Sequence, residues 1–270
     1  MLTTQIAGPA AVLRPFVQWY VQRETVPKTA PVIEPVFPRA GTMLIFQFTD
    51  IYEVKEYGTE QHRPSWAATV IGPIASRRTR LILQDKMQSV DVLFRPLGLY
   101  RLFGVPVSPL TGGGAEARAV FGPQVSFVHE CLGNASGFAD RVNILDSFFM
   151  NRLQASDPLE PAALVMGMVA SGTLTVRAAA ERIGLSERQL ERRSMASSGV
   201  SPKLLARVSR FQRAIQKRRS GFGSWLDIAH EVGYYDQMHL IRDFHDLGGG
   251  TPTEVIRDIS EHHLISFFCR

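Results

Sequence analysis

Two short clusters near the C-terminus carry hydrogen-bonding side chains at helical spacing. Arg188, Glu191 and Arg192 lie three or four residues apart, so a helix turns all three to one face. Gln237, Met238, His239 and Arg242 form a second set. These residue types match the edges of base pairs. Arginine donates paired hydrogen bonds to guanine, glutamine pairs with adenine, glutamate accepts from cytosine, and an apolar group touches the thymine methyl. The plain alternative for a charged run is a solvated helix face. For Glu191 it is a carboxylate that steadies Arg188 or Arg192, and for Met238 and His239 it is partial burial.

The clusters sit in a pattern that occurs twice. The first copy reads Ala179-Ala180-Glu181-Arg182-Ile183-Gly184-Leu185-Ser186, then Leu190-Glu191-Arg192, then Gly199-Val200-Ser201-Pro202. The second reads Ile228-Ala229-His230-Glu231-Val232-Gly233-Tyr234, then Leu240-Ile241-Arg242, then Gly249-Gly250-Thr251-Pro252. A period of about fifty residues marks a duplicated unit of a few helices. In each copy a short helix, a glycine turn and a second helix follow in order. That is the helix-turn-helix arrangement, which lays its second helix in the DNA major groove. The duplication argues against a merely solvated face.

Several elements must hold these side chains. Val176 to Ile183 is expected as a helix, with Gly184 just past its end, where a left-handed backbone is easy only for glycine. Ser186 suits the N-cap of the next helix, predicted from Glu187 to about Ala196 and anchored inward by Leu190. In copy two Asp236 is the expected N-cap, and Leu240 and Phe244 face inward. Between the copies, Pro202 to Arg219 reads as one helix with Pro202 in its first turn. Leu204, Leu205, Val208, Phe211 and Ile215 mark its apolar side. Such a helix sets the spacing of the two readers; at ~34 Å both enter major grooves on one side of the duplex. Lys217, Arg218 and Arg219 at its end suit phosphates or solvent.

Residues 160–257 resemble the DNA-binding domain of the AraC/XylS family of bacterial transcription regulators. Both halves fit, including Gly233-Tyr234-Tyr235-Asp236-Gln237, Arg242-Asp243-Phe244 and the two closing Gly-x-Ser/Thr-Pro segments. The resemblance implies that Arg188, Glu191, Arg192, Gln237, Met238, His239 and Arg242 contact bases, and hence sequence-specific promoter binding. It also implies double-stranded DNA, RNA polymerase, a small effector and a second copy of the chain as partners. There are two departures. Ser194 stands where the first copy usually has a core aromatic, the place held by Phe244 in copy two, and Met195 is expected to fill part of the space. Uncompensated loss of an aromatic costs on the order of 3 kcal/mol or more. Gly248-Gly249-Gly250 replaces a single expected glycine and is expected to loosen the end of its helix.

The first ~105 residues have a different texture. Thr42 to Phe48, Ala68 to Gly72, Arg80 to Gln84 and Ser89 to Phe94 are strand-length and rich in β-branched or aromatic residues. They predict an antiparallel sheet curling toward a small barrel, with Asp91 and Arg95 as strand-end charges. Val12 to Val21 is expected as a short amphipathic helix carrying Trp19 and Tyr20, and Val105 to Pro109 as extended chain. Phe121 to Leu132 and Phe138 to Leu153 read as helices. Val92-Leu93-Phe94-Arg95-Pro96-Leu97-Gly98, followed by Leu102-Phe103-Gly104-Val105-Pro106, is similar to the sensor-like domain of one AraC subgroup. That resemblance implies a cupin-like barrel that binds a small effector or mediates dimerisation. Arg77, Arg78 and Arg80 are the candidates for an anionic effector, set against a charged strand edge that resists aggregation. Trp19 and Trp66 are candidates to line a pocket, set against core packing.

The fold class expected is therefore α+β: a β-rich domain with flanking helices over 1–155, an all-α double helix-turn-helix domain over 160–257, and a tail from 258 to 270. With 45% hydrophobic and 20% charged residues the chain folds unaided. The net charge of +5 is mild, and its excess lies in the first repeat and the helix after it. Cys131 and Cys269 are too few for a disulfide framework and lack zinc-site spacing, so no cofactor or metal is expected. The adjacent pair His262-His263 does not share a helix face. With neither a signal peptide nor a membrane-spanning run, a cytoplasmic setting is expected. No G-x-S-x-G, Walker-type loop or H-E-x-x-H supports an enzyme. The competing reading is a degenerate regulator that acts through protein–protein contacts, and Ser194 is the residue that favours it.

Overall fold

The computed structural model describes residues 2–25, 32–49, 53–56, 62–64, 66–75, 79–83, 87–154 and 161–261. Its strands are β1 (Leu2–Ala7), β2 (Val17–Thr25), β3 (Val32–Pro35), β4 (Met43–Gln47), β5 (Glu53–Glu56), β6 (His62–Pro64), β7 (Ala68–Ile71), β8 (Thr79–Leu83), β9 (Gln88–Phe94) and β10 (Gly114–Glu116). Its helices are α1 (Gly98–Phe103), α2 (Ala117–Phe121), α3 (Gln124–Asn134), α4 (Phe138–Gln154), α5 (Pro161–Ser171), α6 (Val176–Arg182), α7 (Glu187–Ser198), α8 (Pro202–Arg219), α9 (Trp225–Val232), α10 (Gln237–Asp243) and α11 (Pro252–Glu261). The class is α+β. One antiparallel sheet runs β1-β2-β9-β4-β7-β10, and a second runs β3-β8-β5-β6.

In the larger sheet β9 pairs with β2 on one side and β4 on the other, so Val92 lies opposite both Tyr20 and Leu44. Strand alternation sorts the side chains by face. Tyr20, Leu44, Phe46, Val90, Val92 and Phe94 form one core with Val125, Val128 and Leu132 of α3 and Leu145 and Phe149 of α4. The opposite face is buried too, but it carries charge. Arg23 and Asp91 form an ion pair there, and Ser89 Oγ donates to Asp91 at 3.0 Å. Burial pushes the Asp91 carboxyl up, while the neighbouring Arg23 guanidinium pulls it back.

Four predicted strands are present as β4, β7, β8 and β9. Val12 to Val21 is not the expected helix: Ala11–Leu13 is a 3-10 turn and the strand β2 begins at Val17. Leu13, Phe16, Val17 and Tyr20 repeat at helical spacing and mimic a helix, but Val17 and Tyr20 stand on β2 and pair with β9 instead. Asp91 is a buried mid-strand residue rather than a strand-end charge. The helix expected from Phe121 to Leu132 is divided at Gly122-Pro123 into α2 and α3, and Ser108–Leu110 is a 3-10 turn within the stretch expected to be extended.

The second core lies among α5 to α11, and three side chains from the sheet domain belong to it: Phe37, Ala40 and Leu97. Leu97 arrives through the turn Arg95-Pro96-Leu97-Gly98, closed by the Gly98 N–H donating to the Arg95 carbonyl at 2.9 Å. Its φ of 70° and ψ of −10° put it in the third position of a type II turn, where glycine is usual. Among the described residues it is the only non-glycine at positive φ. A left-handed backbone costs about 1–2 kcal/mol. Burying a leucine side chain returns about 1.5–3 kcal/mol. Gly98 must be glycine, because a Cβ there would fall 2.0 Å from the Phe16 carbonyl oxygen.

Further bonds fasten the domains. The Val107 N–H donates to the Ala196 carbonyl at 2.9 Å, Thr111 Oγ1 to the Gly199 carbonyl at 2.8 Å, and Gln212 Nε2 to the Pro38 carbonyl at 3.3 Å. Among the described residues no helix is long and apolar enough to cross a membrane. Replacing Asp91 with Asn should lower stability by about 3–5 kcal/mol, because it strips the buried Arg23 of its counter-charge. Urea unfolding followed by circular dichroism measures the loss.

Candidate nucleic-acid interface

Local sequence sets each helix start. Thr175 Oγ1 accepts from the Ala178 N–H at 3.2 Å and begins α6. Gly184, at φ 66°, turns the chain. Ser186 and Gln189 then form a reciprocal cap on α7: Ser186 Oγ accepts from the Gln189 N–H at 3.3 Å, and Gln189 Oε1 accepts from the Ser186 N–H at 2.9 Å. The second copy repeats the scheme with Ser224 and Asp227 on α9, Gly233 at φ 84°, and Asp236 accepting from the His239 N–H at 2.7 Å on α10. Hydrogen bonds from Ser224 hold the Asp227 carboxyl below the usual carboxylate range. Leu190 and Leu240 point inward and are fully buried.

The opposite faces are open. Arg188, Glu191 and Arg192 are all exposed on α7, and Gln237, Met238 and Arg242 are exposed on α10. His239 is half-buried, its ring edge-on to Tyr234 with centroids 5.2 Å apart. Among the described residues Arg188, Glu191, Arg192 and Arg242 form no ion pair, so Glu191 is not spent on holding either arginine. Nearby charges are paired: Arg177 with Glu181 at 2.9 Å and Lys217 with Glu231 at 2.7 Å.

A set of positioning residues lies outside the sequence prediction. Arg207, Arg210 and Arg213 recur every third position of α8. Arg207 Nε donates to the buried Asp243 at 2.6 Å and its guanidinium also reaches Asp246. Arg210 lies over the Tyr234 ring at 4.6 Å and donates to the Gly233 carbonyl at 3.1 Å. Arg213 donates to the carbonyls of Ala170 and Val232, at the ends of α5 and α9. The signal was available: three evenly spaced arginines on a helix with an apolar side, and an aspartate beside the core anchor Phe244.

The two copies close their cores by different means. Phe244 packs against Phe211 and Trp225, with centroid distances of 4.8 and 5.4 Å. In copy one the buried Ser194 donates to the Val200 carbonyl at 2.7 Å, and Ser198 donates to the Ser194 carbonyl at 2.8 Å. One expectation fails here. Met195 does not fill the space, because it is exposed to solvent. The α-helix of copy two ends at Asp243 and runs on as a wider π-helical turn, Phe244–Gly248, into the triple glycine. Gly248 is packed so closely that a Cβ would lie 2.7 Å from Val255, and Gly249 caps the segment at φ 77°.

The effector candidates are not assembled into one group. Arg77 and Arg78 lie outside the described residues, and Arg80 stands on β8 in the smaller sheet. Trp19 is on β2 and Trp66 precedes β7, strands separated by β9 and β4. His262, His263 and Cys269 are outside the described residues. Among the described residues no group of three or more His, Cys, Asp or Glu could hold a metal ion.

Residues 179–258 match the family model described as a helix-turn-helix domain. The C-terminal region is a helix-turn-helix domain. Residues 5–116 match a domain of unknown function, DUF6597. The whole fold is similar to ToxT from Vibrio cholerae, with 11% identity, 95% of this chain and 98% of that chain covered, and a TM-score of 0.49. It is also similar to the AraC-like activator CuxR, with 11% identity, 97% and 86% covered, and a TM-score of 0.25. A cupin 2 barrel protein from Salinispora arenicola matches 37% of this chain and 81% of its own, with 17% identity and a TM-score of 0.26. No curated protein gives a significant match. Within the helix-turn-helix domain, Asp243→Asn should cost about 3 kcal/mol, because it leaves the Arg207 and Arg210 charges around a buried neutral amide. Chemical denaturation of the two proteins side by side checks it.

Proposed function

We propose that the chain is a sequence-specific regulator of transcription that reads double-stranded DNA with α7 and α10. The observation that carries this reading is the matched pair of open faces. At corresponding places in both copies, exposed arginines form no ion pair among the described residues, while other charges close by are paired. A charged face kept for solubility has no reason to leave Arg192 and Arg242 alone at equivalent positions. Arg188, Arg192 and Arg242 would donate to guanine edges, Glu191 would accept from cytosine, and Gln237 would pair with adenine. Met238 would meet a thymine methyl. His239, half-buried against Tyr234, would contact DNA from the groove edge.

The sheet domain would act as the regulatory half. It is fastened to the end of α7 through Ala196 and Gly199, so a change at the junction reaches the first reader directly. A small effector would bias the equilibrium between DNA-competent and incompetent arrangements by its differential affinity for them. Contact with RNA polymerase, and a second copy of the chain on DNA, complete the reading. The protein–protein alternative rests on Ser194, but that side chain is not left unbonded in the core: its hydroxyl donates to the Val200 carbonyl.

On a duplex selected from random DNA by the full chain, Arg192→Ala and Arg242→Ala should each weaken binding by about 1–3 kcal/mol and relax preference at a few base pairs. Fluorescence anisotropy at fixed salt measures both. Equal affinity of both variants and the parent for that duplex would overturn the readout assignment.

A further inference from the structure

A cavity of about 320 Å³ lies at the junction, walled by the sheet domain on one side and by α5 and α8 on the other. That is the size of a small-metabolite pocket. Arg39, Arg95 and Arg213 line it, and no Asp or Glu does among the described residues. Arg95 Nε donates to the Arg14 carbonyl at 2.8 Å, and its two outer nitrogens have no partner among the described residues. Among the described residues Arg213 donates only to backbone carbonyls. Burial, and then the neighbouring Arg210, push its guanidinium pKa down. Arg39 is buried, and its Nη2 donates to the Gly72 carbonyl at 3.3 Å. Arg95 and Arg213 therefore bring positive charge to the cavity wall with no ion pair among the described residues.

The wall is also built to hydrogen-bond. Thr42, on the rim of β4, is 5% exposed, and its hydroxyl has no partner among the described residues. A buried hydroxyl left unbonded costs about 1–3 kcal/mol, which a polar ligand would recover. Ser209 and Gln212 of α8 line the same space.

We propose that this interdomain cavity binds a small molecule bearing oxyanion groups, held by Arg95 and Thr42 from the sheet domain and Arg213 from α8. Arginine forks suit carboxylate and phosphate alike. The cavity names the chemical class of the effector in the reading above, and rests on that reading only for its regulatory consequence. Such a ligand would bridge the turn that carries Leu97 to the helix that ties the two readers together. It would thereby fix how the sheet domain sits on α8.

The test is made on the full chain without DNA, so it does not depend on whether the readers bind DNA. Calorimetric titration with citrate and with inorganic pyrophosphate, at constant ionic strength, separates a carboxylate source from a phosphate source. Saturable binding of either probe is expected, weakened at least ~10-fold by Arg95→Gln and by the near-isosteric Thr42→Val, which corresponds to about 1.4 kcal/mol. Circular dichroism melts of both variants show that the fold is kept. Absence of saturable binding by both probes, or binding with unchanged affinity in both folded variants, would overturn the site.

Discussion

The left-handed backbone at Leu97 ties the sheet domain to the helical one. The Arg95-Pro96-Leu97-Gly98 turn closes against Phe16 on one side and sends its leucine into the core of α5 to α11 on the other. Proline sets the second position of the turn, and the leucine accepts a strained third position because its side chain gains a buried site in the neighbouring domain. From that contact follow the placement of α8 beside the sheet, the arginine-lined cavity between them, and the reach of the Val107 to Thr111 segment to the end of α7.

The two helix-turn-helix units are thus equal in outline and unequal in support. The second stands on aromatic packing around Phe244 and on the Arg207–Asp243 ion pair, all within the helical domain. The first lacks the aromatic and is held by a serine network onto the Val200 carbonyl and by bonds from the sheet domain to Ala196 and Gly199. Gly199 makes the second of these possible, since a Cβ there would lie 2.5 Å from Thr111 Oγ1. The departure at Ser194 therefore shifts support for the first helix-turn-helix unit from its own core to its neighbour. Under the proposed function, an effector that acts on one unit more than the other has a physical basis in that asymmetry.

The helical domain was legible because its instructions are local. Ser186 and Asp236 announce helix starts, Gly184 and Gly233 announce the turns, and Leu190 and Leu240 mark the buried side. What sequence spacing concealed is long-range. The strand identity of Val17 to Thr25 depends on pairing with β9, some seventy residues away, and its aromatic spacing imitates a helix. Asp91 reads as a surface charge until Arg23 is placed beside it. The role of Arg207, Arg210 and Arg213 emerges only when α9 and α10 are folded against α8. The left-handed state of Leu97 was hidden by its own residue type, since leucine gives no local signal for positive φ.

The claim that the domains share one core is tested most directly by hydrogen exchange on the full chain carrying Leu97→Ala. That change keeps the strained backbone and removes the buried side chain, at about 2–5 kcal/mol. If the shared core holds, amides of α5 and α8 should exchange at least ~10-fold faster than in the parent, while those of β4 and β9 stay protected. Unchanged exchange in α5 and α8 would show that the helical domain does not depend on its neighbour, and would contradict the account.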